Sequence, residues 1–196
     1  MTTMLRRHVL ELGFVAAMAL CFPFLSGCMS SDDAIPSQSF QTDLNLGFEE
    51  TTYNNAPVGW YTGGNDPGSQ ANYKGSVDGT VVHGGKHSLK LEYVAGLGYG
   101  IAEEQLAVKN YRGKTITYSG WIKTKDVNEF AGLWMGVTDS VSYIAFNDMS
   151  DSLISGTTDW KQYTFQLPVD SAAVRIYFGA TLSGTGTAWF DDLSIQ

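Results

Sequence analysis

The sequence predicts an all-β protein, an antiparallel β-sandwich of jelly-roll type, over residues 44–196. Short apolar runs alternate with polar residues at a period of two, as half-buried strands do. Gly, Asn, Asp and Pro separate these runs, and 22 glycines with 13% aromatic residues suit strands joined by tight turns. Beyond the N-terminal leader, no segment keeps an apolar period of 3.6 residues over three helical turns. We therefore expect about eight to ten strands.

The alternation assigns one face of each predicted strand to the core. In the first clear run, Leu89, Leu91 and Tyr93 alternate with polar residues. The pattern recurs along the chain, and the further residues expected to point inward are Ile116, Tyr118, Ile122, Leu133, Met135, Val137, Ile144, Phe146, Tyr163, Phe165, Leu167, Val174, Ile176 and Phe178. The residues between them are expected to face water.

Residues 1–27 have the features of a bacterial export signal. Arg6 and Arg7 precede an apolar run, residues 12–25, that is too short to cross a bilayer comfortably. The run ends in Leu25-Ser26-Gly27-Cys28, which resembles the lipobox of bacterial lipoproteins. The resemblance implies that Cys28 is acylated and becomes the first residue of the mature protein. The alternative is an ordinary cleaved secretory signal in which Cys28 has no special role.

These features predict three segments: a signal peptide over 1–27, a flexible tether over 28–43 that starts at lipidated Cys28, and the β-sandwich over 44–196. Two or more acyl chains anchor a protein stably to a membrane. We therefore expect a lipid-anchored protein of the cell envelope. If the source has two membranes, Met29 after the cysteine favours the outer one, by analogy with known lipoprotein sorting.

The charge balance excludes one class of partner. The leader holds two basic and one acidic side chain, so the mature part keeps 10 basic and 19 acidic ones. Nucleic-acid binding depends on a basic surface. Because the mature part is acidic, we do not expect it to bind nucleic acid. Cys21 lies in the leader, so Cys28 is the one cysteine of the mature part and cannot form a disulfide within the domain.

Four stretches resemble carbohydrate-binding modules of the CenC type, which have a galactose-binding-like jelly roll. They occur in the order found in that family and together span most of residues 44–196. The stretches are Asn45-Leu46-Gly47-Phe48-Glu49 with Pro57-Val58-Gly59-Trp60, Gly84-Gly85-Lys86-His87-Ser88-Leu89-Lys90-Leu91, Thr117-Tyr118-Ser119-Gly120-Trp121-Ile122-Lys123, and Ala188-Trp189-Phe190-Asp191-Asp192-Leu193-Ser194-Ile195. The resemblance implies a domain that binds a poly- or oligosaccharide.

The resemblance also implies a structural calcium ion held by Glu49 and one aspartate of the pair Asp191-Asp192, with carbonyls near Lys86 and His87 as further ligands. If Leu193 points inward, strand parity makes Asp191 an inward carboxylate, which needs a neutralising partner. Calcium, a hard cation that takes oxygen ligands, would supply it. The alternative is that Asp191 turns at the rim and caps a loop amide.

Strand parity predicts aromatic and basic side chains on the wet face of the sheet. The residues expected there are Trp121, Lys123, Trp134, Tyr143, Arg175 and Tyr177. Aromatic rings can cover the C–H face of a pyranose, and the basic groups can donate hydrogen bonds to hydroxyls. We expect these residues to bind sugar. The alternatives are that a bulge reverses the parity, or that loops cover the rings and form a second core.

No catalytic constellation is expected. His83 and His87 stand four apart in a predicted loop, where that spacing does not favour zinc. Glu103 and Glu104 are adjacent and would point to opposite faces of a strand. The sequence therefore predicts a non-catalytic envelope lipoprotein that binds carbohydrate. The alternative is a structural domain whose wet face docks an envelope protein and binds no sugar.

Overall fold

The computed structural model describes residues 44–65 and 68–196. These residues form nine β-strands and two single-turn 3-10 helices, Gln70–Asn72 and Val108–Asn110, with no α-helix in the described ranges. The strands are β1 (Tyr61–Gly64), β2 (Tyr73–Asp78), β3 (Ser88–Tyr93), β4 (Tyr99–Leu106), β5 (Thr115–Thr138), β6 (Tyr143–Asn147), β7 (Ile154–Pro168), β8 (Arg175–Ser183) and β9 (Thr187–Ile195). Every strand pairing is antiparallel.

Strand β5 belongs to both layers of the sandwich. Its first part, residues 115–125, pairs with β7 and β9, and its second part, residues 130–138, pairs with β8 and β6, while Val127 and Ala131 still pair with β7. Register shifts and a left-handed Asp126 (φ 54°) lie between the two parts. We call the layer β2-β3-β9-β5-β7 sheet A and the layer β1-β4-β8-β5-β6 sheet B.

The core lies between the two sheets. The Tyr118 ring of sheet A meets the Phe178 ring of sheet B edge to face, with centroids 5.6 Å apart. The Tyr118 hydroxyl is fully buried and donates to the Gly179 carbonyl, which satisfies its polar atom. Trp60 packs against Phe178 from the edge of the sandwich, at 5.4 Å between centroids. This face-to-face packing of two antiparallel sheets confirms the predicted fold class.

Most residues assigned to the core by alternation are buried. Ten of them are fully inaccessible: Leu89, Leu91, Ile116, Tyr118, Ile122, Leu133, Met135, Val137, Ile176 and Phe178. The prediction was wrong for Ile144, Phe146 and Val174, which are 40–44% exposed. Phe146 pairs with Gly136, on the side of β5 away from the core, and a register shift at Thr138 displaces Ile144. Val174 precedes the first residue of β8.

Three predictions lie outside the described residues: the signal peptide over 1–27, the tether over 28–43 and the lipidation of Cys28. Within the described ranges, no helix has the length and apolar character needed to cross a bilayer.

Candidate functional site

The face of sheet B that points away from the core carries a line of residues across four strands. Tyr61 of β1 pairs with Glu103 of β4, Glu103 with Gly179 of β8, and Gly179 with Trp134 of β5. In the neighbouring line, Tyr177 pairs with Gly136. We call this surface the outer face of sheet B; its residues used below are Tyr61, Tyr99, Glu103, Trp134, Tyr143, Phe146, Arg175, Tyr177 and Gly179.

Trp134 lies on this face but is only 7% exposed, so the prediction of a solvent-exposed indole was wrong. Strand β6 folds beside it. The Phe146 ring lies 6.3 Å from the Trp134 ring, and the Tyr143 ring packs 5.4 Å from Phe146, in the space left by the missing side chain of Gly136. Trp134 remains separate from the main hydrophobic core. Its indole N–H is buried and has no hydrogen-bond partner among the described residues.

Glu103 is half-buried beside these rings. It accepts no hydrogen bond and forms no ion pair with any residue in the described ranges. Burial raises the pKa of Glu103, and the negative charge of Glu104 raises it further. Burial also raises the pKa of Tyr143 to about 12, with smaller contributions from Glu103, Tyr177 and Tyr99. These four side chains are therefore close enough to interact electrostatically.

The sequence pattern presents Glu103 only as half of an acid/base pair with Glu104 and does not group it with the outward aromatic residues. The two carboxylates do lie on opposite faces of β4, and Glu104 sits beside Gly59. The signal was available in the sequence. Gly100, Ala102 and Leu106 are small or apolar and buried, so Tyr99 and Glu103 must face outward.

Four of the six residues predicted to bind sugar lie on the outer face of sheet B. Besides Trp134, they are exposed Arg175, half-buried Tyr177 and Tyr143, which is 36% exposed. Arg175 pairs with Thr138 and lies at the β6 end of this face. Hence Trp134, Tyr143, Arg175 and Tyr177 share one surface with Glu103.

Trp121 and Lys123 lie on a different surface, the outer face of sheet A. The Trp121 ring is stacked on His83 with centroids 3.8 Å apart, and Lys123 Nζ contacts Asp159 Oδ1 at 2.6 Å. Trp160 meets His83 edge to face. The prediction of one continuous aromatic surface was wrong. Because β5 changes layer between residues 125 and 130, its outward residues belong to different sheets before and after that point.

Asp191 also lies on the outer face of sheet A, which corrects the prediction that it points inward. It pairs with Trp121, while its neighbour Phe190 pairs with core residue Ile122. Asp192 has a left-handed backbone (φ 46°), and the register of the pairing shifts there. This bulge reverses the parity, so that Leu193 points into the core although Asp191 does not.

The loop that follows β2 covers Asp191 and leaves it with no exposed surface. The Asp191 carboxylate accepts hydrogen bonds from the backbone N–H groups of His83 (2.8 Å), Gly84 (3.1 Å) and Asp192 (2.8 Å). Burial raises the pKa of Asp191, and these hydrogen bonds oppose that effect. The Asp192 carboxylate contacts His83 Nδ1 at 2.6 Å.

Glu49, the other predicted calcium ligand, reaches the same loop. Its Oε1 accepts from the N–H groups of Lys86 (2.8 Å) and His87 (3.2 Å), and the Lys86 bond is the main reason that the pKa of Glu49 is lowered. His87 Nδ1 lies 3.5 Å from Glu49 Oε2. We call Glu49, Asp191 and the loop 83–87 the carboxylate–loop cluster.

The expected calcium ligands Glu49 and Asp191 both lie in the carboxylate–loop cluster. Their oxygens, however, already accept hydrogen bonds from backbone N–H groups of the loop. A calcium ion here would have to displace some of these donors or use the remaining lone pairs. Within the described ranges, no three His, Cys, Asp or Glu side chains are grouped as they would be around a metal ion. The calcium ion stays a prediction.

Comparison with protein-family models finds no match. One curated relative, an uncharacterized HTH-type transcriptional regulator of Bacillus subtilis, is 35% identical over 152 residues. The match covers 76% of this chain and 50% of the regulator, so the chain spans about half the length of this relative.

Solved structures with the same fold include two carbohydrate-binding modules. A family 22 xylan-binding domain from Paenibacillus barcinonensis has a TM-score of 0.56 at 13% identity, covering 77% of this chain and 90% of that one. A family 16 module has a TM-score of 0.56 at 16% identity, covering 78% and 99%. A cyclase from Fischerella sp. TAU has a TM-score of 0.54 at 15% identity, covering 77% and 92%. At these identities the likeness shows the shared jelly-roll fold.

Proposed function

We propose that this protein is a non-catalytic carbohydrate-binding module and that it binds a poly- or oligosaccharide on the outer face of sheet B. The observation that carries the proposal is the buried indole N–H of Trp134, which lacks a partner among the described residues, on the same line of residues as the Glu103 carboxylate. Glu103 offers an acceptor and Trp134 a donor, both without partners among the described residues. Buried polar groups are normally hydrogen-bonded, so the Trp134 N–H calls for a ligand that accepts, and the water-accessible Glu103 carboxylate can take a donor from the same ligand.

Sugar hydroxyls meet that requirement, since each donates one hydrogen bond and accepts others. The rings of Tyr61, Tyr143 and Tyr177 lie on the same face and offer flat apolar surfaces to the C–H side of a sugar. The carbohydrate-binding modules that share the fold support this proposal; the family 22 neighbour is a xylan-binding domain. Weak binding is expected, of the order of micromolar to millimolar Kd.

Ligand access to the Trp134 N–H requires movement of the side chains packed over it. Phe146 and Tyr143 both stand on β6, a strand of five residues that pairs with β5. Because an edge strand is held by one ladder of hydrogen bonds, its side chains can shift at moderate cost. We propose that sugar binding moves Tyr143 and Phe146 aside.

Binding without turnover is supported by the placement of the carboxylates. Glycoside hydrolases generally use two carboxyl groups that face each other across the scissile bond. Glu103 lies on the outer face of sheet B, but Glu104 lies on the opposite side of β4. The two therefore do not form such a pair.

The regulator relative supports a recognition role for the shared domain. The residues that the structure describes contain no α-helix, whereas the relative carries the name of an HTH-type regulator and is matched over 50% of its length. We propose that the same ligand-recognition domain is joined to different partners in the two proteins: a lipid anchor at Cys28 here and a DNA-binding part in the regulator.

The envelope location is part of the proposal and rests on Leu25-Ser26-Gly27-Cys28. Replacement Cys28→Ser should move the protein from the membrane fraction to the soluble fraction and abolish incorporation of labelled fatty acid. Retention of the label in that variant would exclude acylation at Cys28.

Sugar binding is tested by calorimetric titration of the mature chain, made with Cys28→Ser to prevent acylation. The panel contains xylohexaose, β-1,4-galactotriose and cello-oligosaccharides. We expect one class to bind, with at least about tenfold weaker binding in Tyr177→Ala and no change in Trp121→Ala, since a stacked aromatic contributes of order 1 kcal/mol or more. Equal binding by wild type and Tyr177→Ala, or loss in Trp121→Ala alone, would refute the proposed face.

A further inference from the structure

The surroundings of Glu103 suit a positive charge better than a neutral hydroxyl. Its carboxylate is half-buried, has no basic partner in the described part of the chain, and acts electrostatically on the Tyr143 hydroxyl. The whole chain carries a net charge of −8, so the long-range field also favours a cation.

Arg175, the basic residue of this face, does not neutralise Glu103. Glu103 pairs with Gly179, and Arg175 lies four residues earlier on β8. At ~3.3 Å per residue this separation is roughly 13 Å along the strand, and the two side chains form no ion pair in the described part of the chain. The face therefore has an unneutralised negative end near Glu103 and a positive end at Arg175.

Aromatic rings near Glu103 add to the preference for a cation. An ammonium over the face of a tyrosine or tryptophan ring is attracted by its π electrons, by roughly 0.5–2 kcal/mol depending on exposure. The ring of Tyr61 stands directly across from Glu103 on β1, and Trp134 stands two strands away in the other direction. A carboxylate flanked by such rings is a suitable receptor for a protonated amine.

We infer that the outer face of sheet B selects saccharides that carry an ammonium group, that is, amino sugars with a free amine, and that Glu103 is the residue that selects them. This inference rests on the proposed function. The amine would lie between the Glu103 carboxylate and the adjacent rings. The remaining hydroxyls would extend along β8 toward Arg175, whose guanidinium donates to them.

The test compares a glucosamine hexamer with its N-acetylated, neutral counterpart by calorimetric titration of the Cys28→Ser mature chain. It is run at about pH 6, where the sugar amine is protonated, and the bound ammonium itself favours the ionised form of Glu103 against the effect of burial on its pKa. We expect the ammonium-bearing hexamer to bind about tenfold more tightly. Glu103→Gln should reduce that ratio to near one. The matched control Glu104→Gln, on the opposite side of β4, should keep it.

Three outcomes would overturn the inference. Equal affinity of the two hexamers in wild type, or an unchanged ratio in Glu103→Gln, leaves sugar binding standing but removes the selection by Glu103. Absence of binding by these hexamers and by the neutral panel removes the proposed function together with the inference. Unfolding curves of Glu103→Gln and wild type, recorded in parallel, establish that the variant is folded.

Discussion

Glu103 and Trp134 lie on one line across three neighbouring strands, with Gly179 between them, and the buried Trp134 indole N–H has no partner among the described residues. The carboxylate is an acceptor without a donor, and the indole is a donor without an acceptor, among the residues described. Leaving a buried donor or acceptor unpaired costs about 1–3 kcal/mol. The unpaired Trp134 N–H is therefore a feature that a purely structural sheet would be expected to avoid.

The ionised form of Glu103 should lower stability at neutral pH. Burial raises its pKa in the folded state, so the folded protein binds the proton more tightly than the unfolded chain. The free energy of unfolding should therefore fall as pH rises from the unfolded pKa through the folded one. Glu103→Gln should raise the free energy of unfolding by less than about 1 kcal/mol at pH 7, since the carboxylate remains partly hydrated.

Urea unfolding at neutral and acidic pH checks this expectation. Below the usual pKa of a glutamate, both proteins carry a neutral side chain at position 103, and the difference should vanish. A variant that is destabilised at neutral pH, or that differs from wild type equally at both pH values, would contradict the assignment of Glu103 as an uncompensated carboxylate.

Asp191 should be the most sensitive residue of the carboxylate–loop cluster. Asp191→Ala leaves three backbone N–H groups, those of His83, Gly84 and Asp192, without their acceptor. We expect a loss of roughly 2–4 kcal/mol in the free energy of unfolding. The control is Asp192→Asn, which keeps a residue that tolerates a left-handed backbone and alters an exposed contact with His83. Asp192→Asn should lower the free energy of unfolding by less than about 1 kcal/mol.

Similar losses of stability in Asp191→Ala and Asp192→Asn would mean that the buried hydrogen bonds of Asp191 do not hold the loop.

The calcium ion is tested by unfolding in the presence of calcium or of a chelator. If an ion binds the carboxylate–loop cluster, calcium at a hundred times its Kd should stabilise the fold by about 2.7 kcal/mol. Glu49→Gln should remove most of that gain. Superimposable curves would contradict the calcium prediction and leave the backbone N–H groups as the sole partners of these carboxylates.

Gly179 should not accept a side chain. A β-carbon at this position would overlap the carbonyl oxygen of Ala102 on the paired strand β4. Because the clash is with backbone, β4 and β8 would have to separate, and we expect Gly179→Ala to cost roughly 3 kcal/mol. The control Gly79→Ala, where the new methyl would make only ordinary contacts with Lys86 and His87, should change stability by less than about 0.5 kcal/mol. Equal effects in a thermal denaturation experiment would show that β4 and β8 are not so closely apposed.

The fold was predictable because apolar residues alternate with polar ones along each strand, and this alternation reflects which side of the strand is buried. Leu133, Met135 and Val137 alternate with residues of the other face, and each is fully buried. Trp121 and Trp134 are both correctly placed on outward faces by the same reasoning. Strand periodicity, however, gives the side of a strand and not the sheet to which that strand belongs.

The predictions from strand alternation were wrong where the pairing of strands in the folded protein interrupts that alternation or changes the sheet. The bulge at Asp192 reverses the parity of β9, and the passage of β5 from sheet A to sheet B separates Trp121 from Trp134. The burial of Trp134 depends on Phe146, which comes from another strand. These features follow from which strands meet, so a local pattern could not reveal them.

The most direct test of the central claim is an NMR titration of the isotope-labelled protein with the oligosaccharide class that binds in calorimetry. The indole N–H resonances of Trp134 and Trp121 report the two outer faces in the same spectrum. We predict a large shift of the Trp134 resonance, with amide shifts in β4, β6 and β8, and an unchanged Trp121 resonance. A shift of Trp121 and its neighbours with Trp134 unmoved would contradict binding on the outer face of sheet B.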